Sequence, residues 1–315
     1  MINSPGTLNL RLGTRDLLAE SLQQKRSKNT RTAYEKDLRY FFTAVSGNPP
    51  TPAVVMEFLK LDRCDALALV SNYRAKLIER DLKEATVNRS LAAIKDLVKY
   101  ALMLGKCEWN LADVKNEQVK PYRDTTGISP EAFKGMMQQC ERTTPKGKRD
   151  YALLRLLWEN ALRRGEVSAL NIGDLDDDSR RLWILGKGRG TQKEAIALSI
   201  PVIKALQDWL TCHDRLAFNQ PLFFSIAHLT YGHRLSGTSI YRIVRGLATV
   251  AGIKKTMSPH RIRHSGITAA LVATGGDVRR VQKLSRHSNL NTLMIYDDNR
   301  LDHQGEISDL LSELI

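Results

Sequence analysis

The chain has 315 residues, 42% of them hydrophobic, and its 48 Lys and Arg residues outnumber its 34 Asp and Glu residues, which gives a formal net charge of +14. This length permits two domains with cores of their own, and the hydrophobic fraction excludes a disordered chain. The positive charge favours a polyanionic partner, most simply nucleic acid or an anionic membrane surface.

Targeting signals and cysteine usage narrow this choice. The sequence has no apolar run of about 18 residues, and its N-terminus lacks a charged start followed by an apolar segment, which disfavours the membrane. The four cysteines are scattered and form no CxxC pair, a pattern typical of reduced thiols rather than of a zinc site or disulfide framework. We therefore expect a cytosolic protein with a nucleic acid as its partner.

Helical periodicity dominates residues 1–112, which we predict to form a small all-α bundle after a loose arm at residues 1–12. Apolar residues recur at helical spacing in five segments. These predicted helices cover residues 14–26, a segment from Thr30 to Val45, and residues 52–61, 65–80 and 86–104. Residues 113–128, DVKNEQVKPYRDTTGI, lack periodicity and are rich in polar residues, so we predict a linker there.

Residues 129–315 predict a second, mainly α domain with a small antiparallel sheet. Ser129 and Pro130 start a helix, ALLRLLWENALRR (152–164) predicts another, and two apolar runs at 180–188 and 193–200 predict a β-hairpin. Further helices are predicted at residues 200–215, 237–251, 258–273, 277–286 and 290–298. The tail, residues 305–315, forms an amphipathic pattern whose apolar face carries Ile307, Leu310, Leu311 and Leu314.

The stretch SPHRIRHSG, residues 258–266, places two histidines and two arginines at the start of a predicted helix. Ser258 is a favourable N-cap and Pro259 suits the first helical position. His260 and Arg263 are three residues apart, so they share one helix face. The segment is either a solvated basic face or, because a helix N-terminus attracts anions, a phosphate pocket.

Four other residues of the second domain could meet the same phosphate. Arg163 lies in NALRRGEV, Lys187 in a Gly-flanked turn, His287 in LSRHSN and Tyr296 in TLMIYDDN. Taken singly, each has an ordinary structural interpretation, such as a helix C-terminal arginine or an aromatic residue at the edge of a core. Their order and spacing together favour a functional site.

On these motifs the chain resembles the tyrosine recombinases, or phage integrase family, of the simple Xer and Cre type. The matching segments are ALRRGE (161–166), GKG (186–188), HRIRH (260–264), LSRH (284–287) and Tyr296. In the first half, residues 28–42 and 85–102 look like the first and last helices of the family's SAM-like core-binding domain. Because the first predicted helix begins at residue 14, we expect no additional arm-binding domain.

Three positions depart from the family's usual pattern. Ala161 stands where a Gly usually precedes Leu-Arg, and Gly165 replaces a common Ser before Glu166. Arg286 occupies the usual Gly position before the second histidine. If that position requires a positive φ, an arginine there strains the turn.

The resemblance implies a role for each motif residue in phosphodiester cleavage. Arg163 and Arg263 would clamp the non-bridging oxygens, since guanidiniums are permanently charged fork-shaped donors. His287 would add a donor, Tyr296 would be the nucleophile, His260 its general base and Lys187 the general acid for the 5′-oxygen. Supporting roles fall to Glu166 and His264. No metal or other cofactor is expected, and the DLDDD run at 174–178 predicts a polar turn before a strand.

The resemblance further implies the reaction and the assembly. It predicts a catalytic domain at residues 129–315 behind a core-binding clamp domain, a covalent 3′-phosphotyrosine, a Holliday junction and a homotetramer on two sites of double-stranded DNA. It also implies a cytoplasmic, nucleoid-associated protein. The tail at 305–315 either docks on the neighbouring subunit or folds back on its own domain. We expect DNA contacts from Arg89, Lys95, Arg242 and Arg245.

Two other functions are compatible with this sequence. A type IB-like DNA topoisomerase uses catalytic residues of the same kinds, and a non-catalytic DNA-binding relative could keep the fold. The presence of all the catalytic residue types argues against the latter. A recombinase of this type could serve phage integration, element mobility, resolution of DNA dimers or a programmed rearrangement.

Overall fold

A computed structural model describes residues 15–119, 127–186, 190–212, 217–298 and 303–314. The predicted arm at 1–12 and the predicted general acid Lys187 lie outside these residues. The chain divides into two compact units, Met1–Pro121 and Tyr122–Ile315. Each is described by itself below.

The first unit is built from five α-helices. They are α1 (Leu17–Gln23), α2 (Lys28–Ser46), α3 (Pro52–Leu59), α4 (Arg63–Glu79) and α5 (Glu84–Met103). Side chains of Ser27, Thr51 and Asp62 accept hydrogen bonds from the first turns of α2, α3 and α4, because the first backbone N–H groups of a helix lack partners within it. The all-α bundle predicted from periodicity is therefore confirmed.

An aromatic cluster lies at the centre of the first unit. Phe41 and Phe42 are fully buried, and the ring of Phe41 contacts those of Phe42, Phe58 and Tyr73 edge-on with centroids 5.1 to 5.2 Å apart. Edge-to-face contacts suit the quadrupoles of aromatic rings. The cluster joins α2, α3 and α4 into one core.

The segment predicted as a linker, residues 113–128, is packed at both of its ends. Val114 is 4% exposed within the core of the first unit, and Glu117 bonds to Asn88 and Arg74. At the other end, the backbone N–H of Ile128 donates to the side chain of Ser265 in the second unit. Polar composition identified this segment as irregular, but polar residues also form specific contacts that periodicity does not register.

The second unit contains nine described α-helices and a three-stranded sheet. The helices are α6 (Pro130–Gln138), α7 (Pro145–Glu159), α8 (Arg164–Ala169), α9 (Ile200–Leu210), α10 (Gly237–Val250), α11 (Pro259–Ala273), α12 (Val278–Ser285), α13 (Asn291–Asp298) and α14 (His303–Ser312). The strands are β1 (Leu175–Asp176), β2 (Arg181–Ile184) and β3 (Glu194–Ala197). This confirms the predicted mainly α domain with a small antiparallel sheet.

The sheet has the order β1-β2-β3 with both pairs antiparallel. Leu182 of β2 pairs with Ile196 of β3. Leu182 and Ile184 face the core, whereas Arg181 and Trp183 are exposed, as the period of two along a strand requires. The DLDDD run supplies β1 rather than only a turn. Its first carboxylate, Asp174, is buried and bonds to Lys193.

One predicted helix ends earlier than the sequence suggested. The prediction extended it from Ala152 to Arg164, whereas α7 ends at Glu159 and α8 begins at Arg164. The break occurs because Ala161 adopts a left-handed φ of +46°, which a right-handed helix excludes. Residues 160–163 therefore form a turn between two helices.

Two apolar clusters hold the second unit together. The larger one packs α7 against α9, α10 and the sheet around Trp209, which is fully buried and donates to the carbonyl of Leu222. The smaller one contains Ala161, Ile267, Leu271, Val281, Leu293 and Tyr296. It brings the turn after α7 into one cluster with α11, α12 and α13.

Helix α14 presents its apolar residues to solvent. Ile307, Leu310, Leu311 and Leu314 are all more than half exposed, so the amphipathic tail is not packed on its own unit through this face. None of the described helices is long and apolar enough to cross a membrane.

Replacement of Phe41 by alanine should destabilise the first unit strongly. The ring is fully buried among three others, and such truncations cost about 3–5 kcal/mol through lost burial and a residual cavity. Urea unfolding of the full chain followed by circular dichroism measures this. Tyr40→Ala is the matched control, since its neighbouring ring is 55% exposed and should change stability by less than about 1 kcal/mol. Equal effects of the two variants would contradict the assigned core.

Candidate active site

The site is organised around a buried guanidinium on α11. The side chain of Ser258 accepts from the N–H of Arg261, and Pro259 occupies the first turn, so the predicted helix start is confirmed. Arg263 is 1% exposed, and its two terminal nitrogens donate to the main-chain carbonyls of Ala161 and Ser285. A buried permanent charge requires such acceptors, since an unpaired one is very costly.

Both carbonyls lie at turns that contain a left-handed residue. Ala161 has φ +46°, and Arg286, directly after Ser285, has φ +55° at the C-terminal end of α12. These are two of the positions where the family usually has Gly, the residue that adopts positive φ without a steric cost. Position 286 therefore does have the positive φ that was raised above as a condition for strain, and His287 follows that turn directly.

Arg163 caps the N-terminus of α8 together with Glu166. The backbone N–H of Arg163 donates to Oε2 of Glu166 at 2.8 Å, and its guanidinium donates to Oε1 at 2.7 Å. A cation beside a helix N-terminus is unfavourable, and the buried carboxylate of Glu166 offsets this repulsion. The Arg163 side chain remains 29% exposed, so part of it is accessible to a ligand.

The side chain of Arg286 joins the same network. It is 8% exposed and donates to Oε2 of Glu166 at 3.0 Å and to the carbonyls of Asn160 and Ala161 at 3.1 and 3.3 Å. In the sequence, Arg286 stands out only because it occupies a position where the family usually has Gly. Its position next to His287 was the available signal, but nothing in the sequence indicated that its side chain turns back to Glu166.

The predicted nucleophile lies beside the histidines of α11. Tyr296 is 3% exposed, its ring stacks on that of His264 with centroids 4.8 Å apart, and its hydroxyl is 3.5 Å from Nε2 of His264. The rings of His260 and His264 meet edge-on with centroids 4.0 Å apart. The ring of His287 lies 5.9 Å from that of Tyr296.

The structure therefore brings together the predicted site residues that it describes. Arg163, Glu166 and Arg286 form one hydrogen-bonded group, and Nη2 of Arg263 lies 3.3 Å from Nε2 of His287. Tyr296, His264 and His260 form a row of three contacting rings beside it. These side chains come from α8, α11, α13 and two turns, and they are separated by more than a hundred residues of sequence.

Comparisons with known proteins identify the family of the chain. The phage integrase family profile matches residues 127–303, and its N-terminal SAM-like domain matches residues 17–104. The tyrosine recombinase slr0733 of Synechocystis sp. is 52% identical over 311 residues, 99% of each chain. XerC of Pelobacter propionicus is 28% identical over 287 residues, 90% of this chain and 89% of that one. The chain belongs to the phage integrase family.

This tyrosine-type site-specific recombinase also shares its fold with solved structures. XerH bound to a palindromic difH substrate in a post-cleavage complex has a TM-score of 0.63 at 17% identity and covers 95% of this chain and 94% of that one. A variant Tn1549 transposon integrase in complex with a circular intermediate DNA has a TM-score of 0.63 at 17% identity, with 93% and 98% covered. At this identity the similarity establishes the fold.

Burial and mutual repulsion set the ionisation of the cluster. Burial, followed by repulsion from Arg163 and Arg286, lowers the pKa of Arg263 to about 9. For Glu166, burial alone would raise the pKa of the carboxyl, but the attraction of Arg286 and the hydrogen bonds from Arg163 hold it below its ordinary value. Glu166 therefore stays ionised at neutral pH and shares its charge between two arginines.

His287 is neutral in this environment. Burial, followed by repulsion from Arg263 and Arg163, lowers the pKa of its imidazole to about 4. A neutral imidazole has one acceptor nitrogen and one donor, so Nε2 accepts from Arg263 and Nδ1 carries the proton. Nδ1 is buried without a hydrogen-bond partner among the described residues, so a donor remains available in the cluster.

The four predicted DNA-contact residues differ in their environments. Arg89 makes two hydrogen bonds to Asp37, at 2.8 and 3.1 Å, while its side chain stays 47% exposed. Lys95 donates to the carbonyl of Val114, and burial lowers the pKa of its ammonium. Arg242 and Arg245 are exposed on α10. Their roles as DNA contacts stay predictions.

The described residues contain no group of three His, Cys, Asp or Glu side chains that could hold a metal ion.

His287→Gln should flatten the acid side of the stability profile. In the folded protein the imidazole stays neutral down to about pH 4, whereas the ordinary pKa is 6.5. The unfolded state therefore binds an extra proton as the pH falls from 6.5 to 4, and stability is lost over that window. Urea unfolding at a series of pH values should show a steeper decline for wild type than for the variant. His228→Gln, which alters an exposed histidine, should keep the wild-type slope, and parallel profiles for wild type and His287→Gln would contradict this environment.

Proposed function

We propose that this recombinase cleaves and rejoins DNA through a 3′-phosphotyrosine intermediate and a Holliday junction, with Tyr296 as the nucleophile. The observation that carries the proposal is the proximity of the Tyr296 and His287 rings, 5.9 Å apart, beside the guanidiniums of Arg163 and Arg263. A phosphate held by those arginines would lie next to a phenol. The proposal uses the residue types that phosphoryl transfer needs, namely a nucleophile and donors for developing charge.

In the proposed cleavage step, the phenolic oxygen of Tyr296 attacks phosphorus and the bond to the 5′-oxygen breaks. His260 accepts the phenolic proton, Lys187 protonates the leaving 5′-oxygen, and Arg163 and Arg263 stabilise the charge on the non-bridging oxygens. His264 lies between His260, which it meets edge-on, and Tyr296, on which it stacks, and it orients both rings. The phosphodiester energy is retained in the covalent link, so the reverse step rejoins the strand without ATP.

Burial of the nucleophile implies a movement before cleavage. Tyr296 is 3% exposed in an apolar cluster, and a phosphate of duplex DNA cannot enter such a cluster. We therefore infer that α13 shifts when DNA binds and presents the hydroxyl. The exposed apolar face of α14, which follows α13 in the chain, supports a tail that docks on a neighbouring subunit of a homotetramer on two DNA sites.

Tyr296→Phe should abolish the covalent protein–DNA adduct while DNA binding survives. The substrate is a nicked duplex carrying a site selected for binding from a random library, and the adduct is counted on a denaturing gel. Tyr231→Phe, at an exposed tyrosine of the second unit, should form the adduct like wild type. An undiminished adduct in Tyr296→Phe would remove this residue as the nucleophile.

A plasmid assay separates recombination from topoisomerase activity. A recombinase yields recombinant products only from plasmids that carry two selected sites, whereas a type IB-like topoisomerase relaxes supercoiled plasmids that carry none. We expect recombinants in the first case and unchanged supercoiling in the second.

The salt dependence of DNA binding should distinguish an exposed cationic side chain from one that already donates hydrogen bonds within the protein. Arg242→Gln removes an exposed charge and should reduce the slope of log affinity against log salt by about one. Lys95→Gln should change the slope less, because the ammonium already donates to Val114 and Asn116. The measurement is fluorescence anisotropy at several salt concentrations. A larger loss for Lys95→Gln would assign that lysine to a phosphate instead.

A further inference from the structure

The backbone of Arg286 occupies a region that arginine adopts at a cost. Its φ of +55° is left-handed, where Cβ crowds the following carbonyl oxygen, a cost that glycine avoids because it has no Cβ. Such conformations persist when the surrounding structure compensates for them, and they cluster at functional sites. The compensation here must come from the side chain, because the backbone alone would be more stable with glycine.

Three of the four hydrogen bonds of the guanidinium to described residues are directed at the parts of the site that position Arg163 and Arg263, and the fourth joins Nη1 to the carbonyl of Leu284 at 2.9 Å. Nη2 donates to Oε2 of Glu166 at 3.0 Å and to the Ala161 carbonyl at 3.3 Å, and Nη1 donates to the Asn160 carbonyl at 3.1 Å. Glu166 uses its other oxygen, Oε1, for the Arg163 guanidinium. The Ala161 carbonyl also accepts from Arg263.

Removal of this guanidinium would take one hydrogen-bond donor away from the Glu166 carboxylate and one from the Ala161 carbonyl. Glu166 would keep only Arg163 and could draw that guanidinium fully into a two-oxygen pair, away from its exposed side. The turn at 160–161 would lose two of the hydrogen bonds that fix its carbonyls. Because Arg286 is 8% exposed, its effect on a bound phosphate would pass through these neighbours.

We propose that Arg286 is a positioning residue for strand cleavage, one that holds Glu166 and the 160–161 turn so that Arg163 and Arg263 face the scissile phosphate. The inference rests on the proposed cleavage reaction at Tyr296. It assigns no contact between Arg286 and DNA. It also gives the strained left-handed arginine a function that glycine at the same position lacks.

Arg286→Gly tests this role, and Arg180→Gly is its matched control. Arg180 has a nearly identical φ of +54° but lies exposed in the turn before β2, so the control relieves the same strain without touching the site. We expect Arg286→Gly to form the Tyr296 adduct roughly tenfold or more slowly at saturating DNA, with unchanged DNA affinity. Arg180→Gly should match wild type. An Arg286→Gly rate equal to that of the control would overturn the proposal.

A methylphosphonate substrate distinguishes positioning from general loosening of the fold. Replacing one non-bridging oxygen with methyl removes the phosphate charge that the arginines clamp, so a defect in their orientation matters less. We expect the rate ratio of wild type to Arg286→Gly to shrink on this substrate. An undiminished ratio would overturn the proposal.

If thermal unfolding shows that Arg286→Gly is less stable than Arg180→Gly, Arg286→Met, which keeps an unbranched buried stem, takes its place with the same expectations.

A second modified substrate tests the route by which Arg286 acts. Nε of Arg286 lies 3.7 Å from Glu194 on β3, the strand after the segment that contains Lys187. Sulfur in place of the bridging 5′-oxygen makes a leaving group that needs no general acid. Rescue of Arg286→Gly by that substrate would place the effect on Lys187 and overturn the route through Arg163; we expect no rescue. Absence of any adduct from wild type would instead refute the proposed function itself.

Discussion

The burial of one permanent charge, the guanidinium of Arg263, constrains the rest of the site. At 1% exposure its N–H groups cannot donate to water. Main-chain carbonyls of two turns accept their hydrogen bonds instead. Those turns follow α7 and α12, so these helix ends must lie beside the first turns of α11. The turn after α7 carries Arg163 and the turn after α12 carries His287. Fixing the carbonyls for Arg263 therefore also fixes these two side chains.

The net charge of the described groups in the cluster favours an anionic ligand. Among its described residues, Arg163, Arg263 and Arg286 contribute three positive charges, and His287 is neutral because its pKa is lowered to about 4. Glu166 and the more distant Glu194 contribute two negative charges. One positive charge remains without a counterion among these groups. A phosphodiester carries one negative charge, so a bound scissile phosphate would neutralise the cluster, which supports the proposed function on electrostatic grounds.

Sequence signals located most of the elements but not the turns between them. Ser followed by Pro marked the starts of α6 and α11, and apolar periodicity located α2 and α5 within a few residues. The break after Glu159 escaped prediction, because nothing local in ENALRR announces a left-handed Ala161. Likewise, the role of Arg286 depends on residues more than a hundred positions away. Local pattern predicts helices, whereas tertiary hydrogen bonds decide these two backbone conformations.

Ala161 connects the arginine network to the proposed nucleophile. Its packing also accounts for an alanine where the family usually has glycine. Its carbonyl accepts from Arg263 and Arg286, while its methyl group belongs to the apolar cluster that contains Tyr296. A left-handed alanine costs about 1–2 kcal/mol, and burying one methyl group returns roughly 0.8 kcal/mol or more when the alternative is a void. These terms nearly cancel, so alanine is tolerated where glycine would be unstrained. Any shift of this turn would then move the carbonyl that accepts from the two arginines together with a methyl group of the apolar cluster around Tyr296.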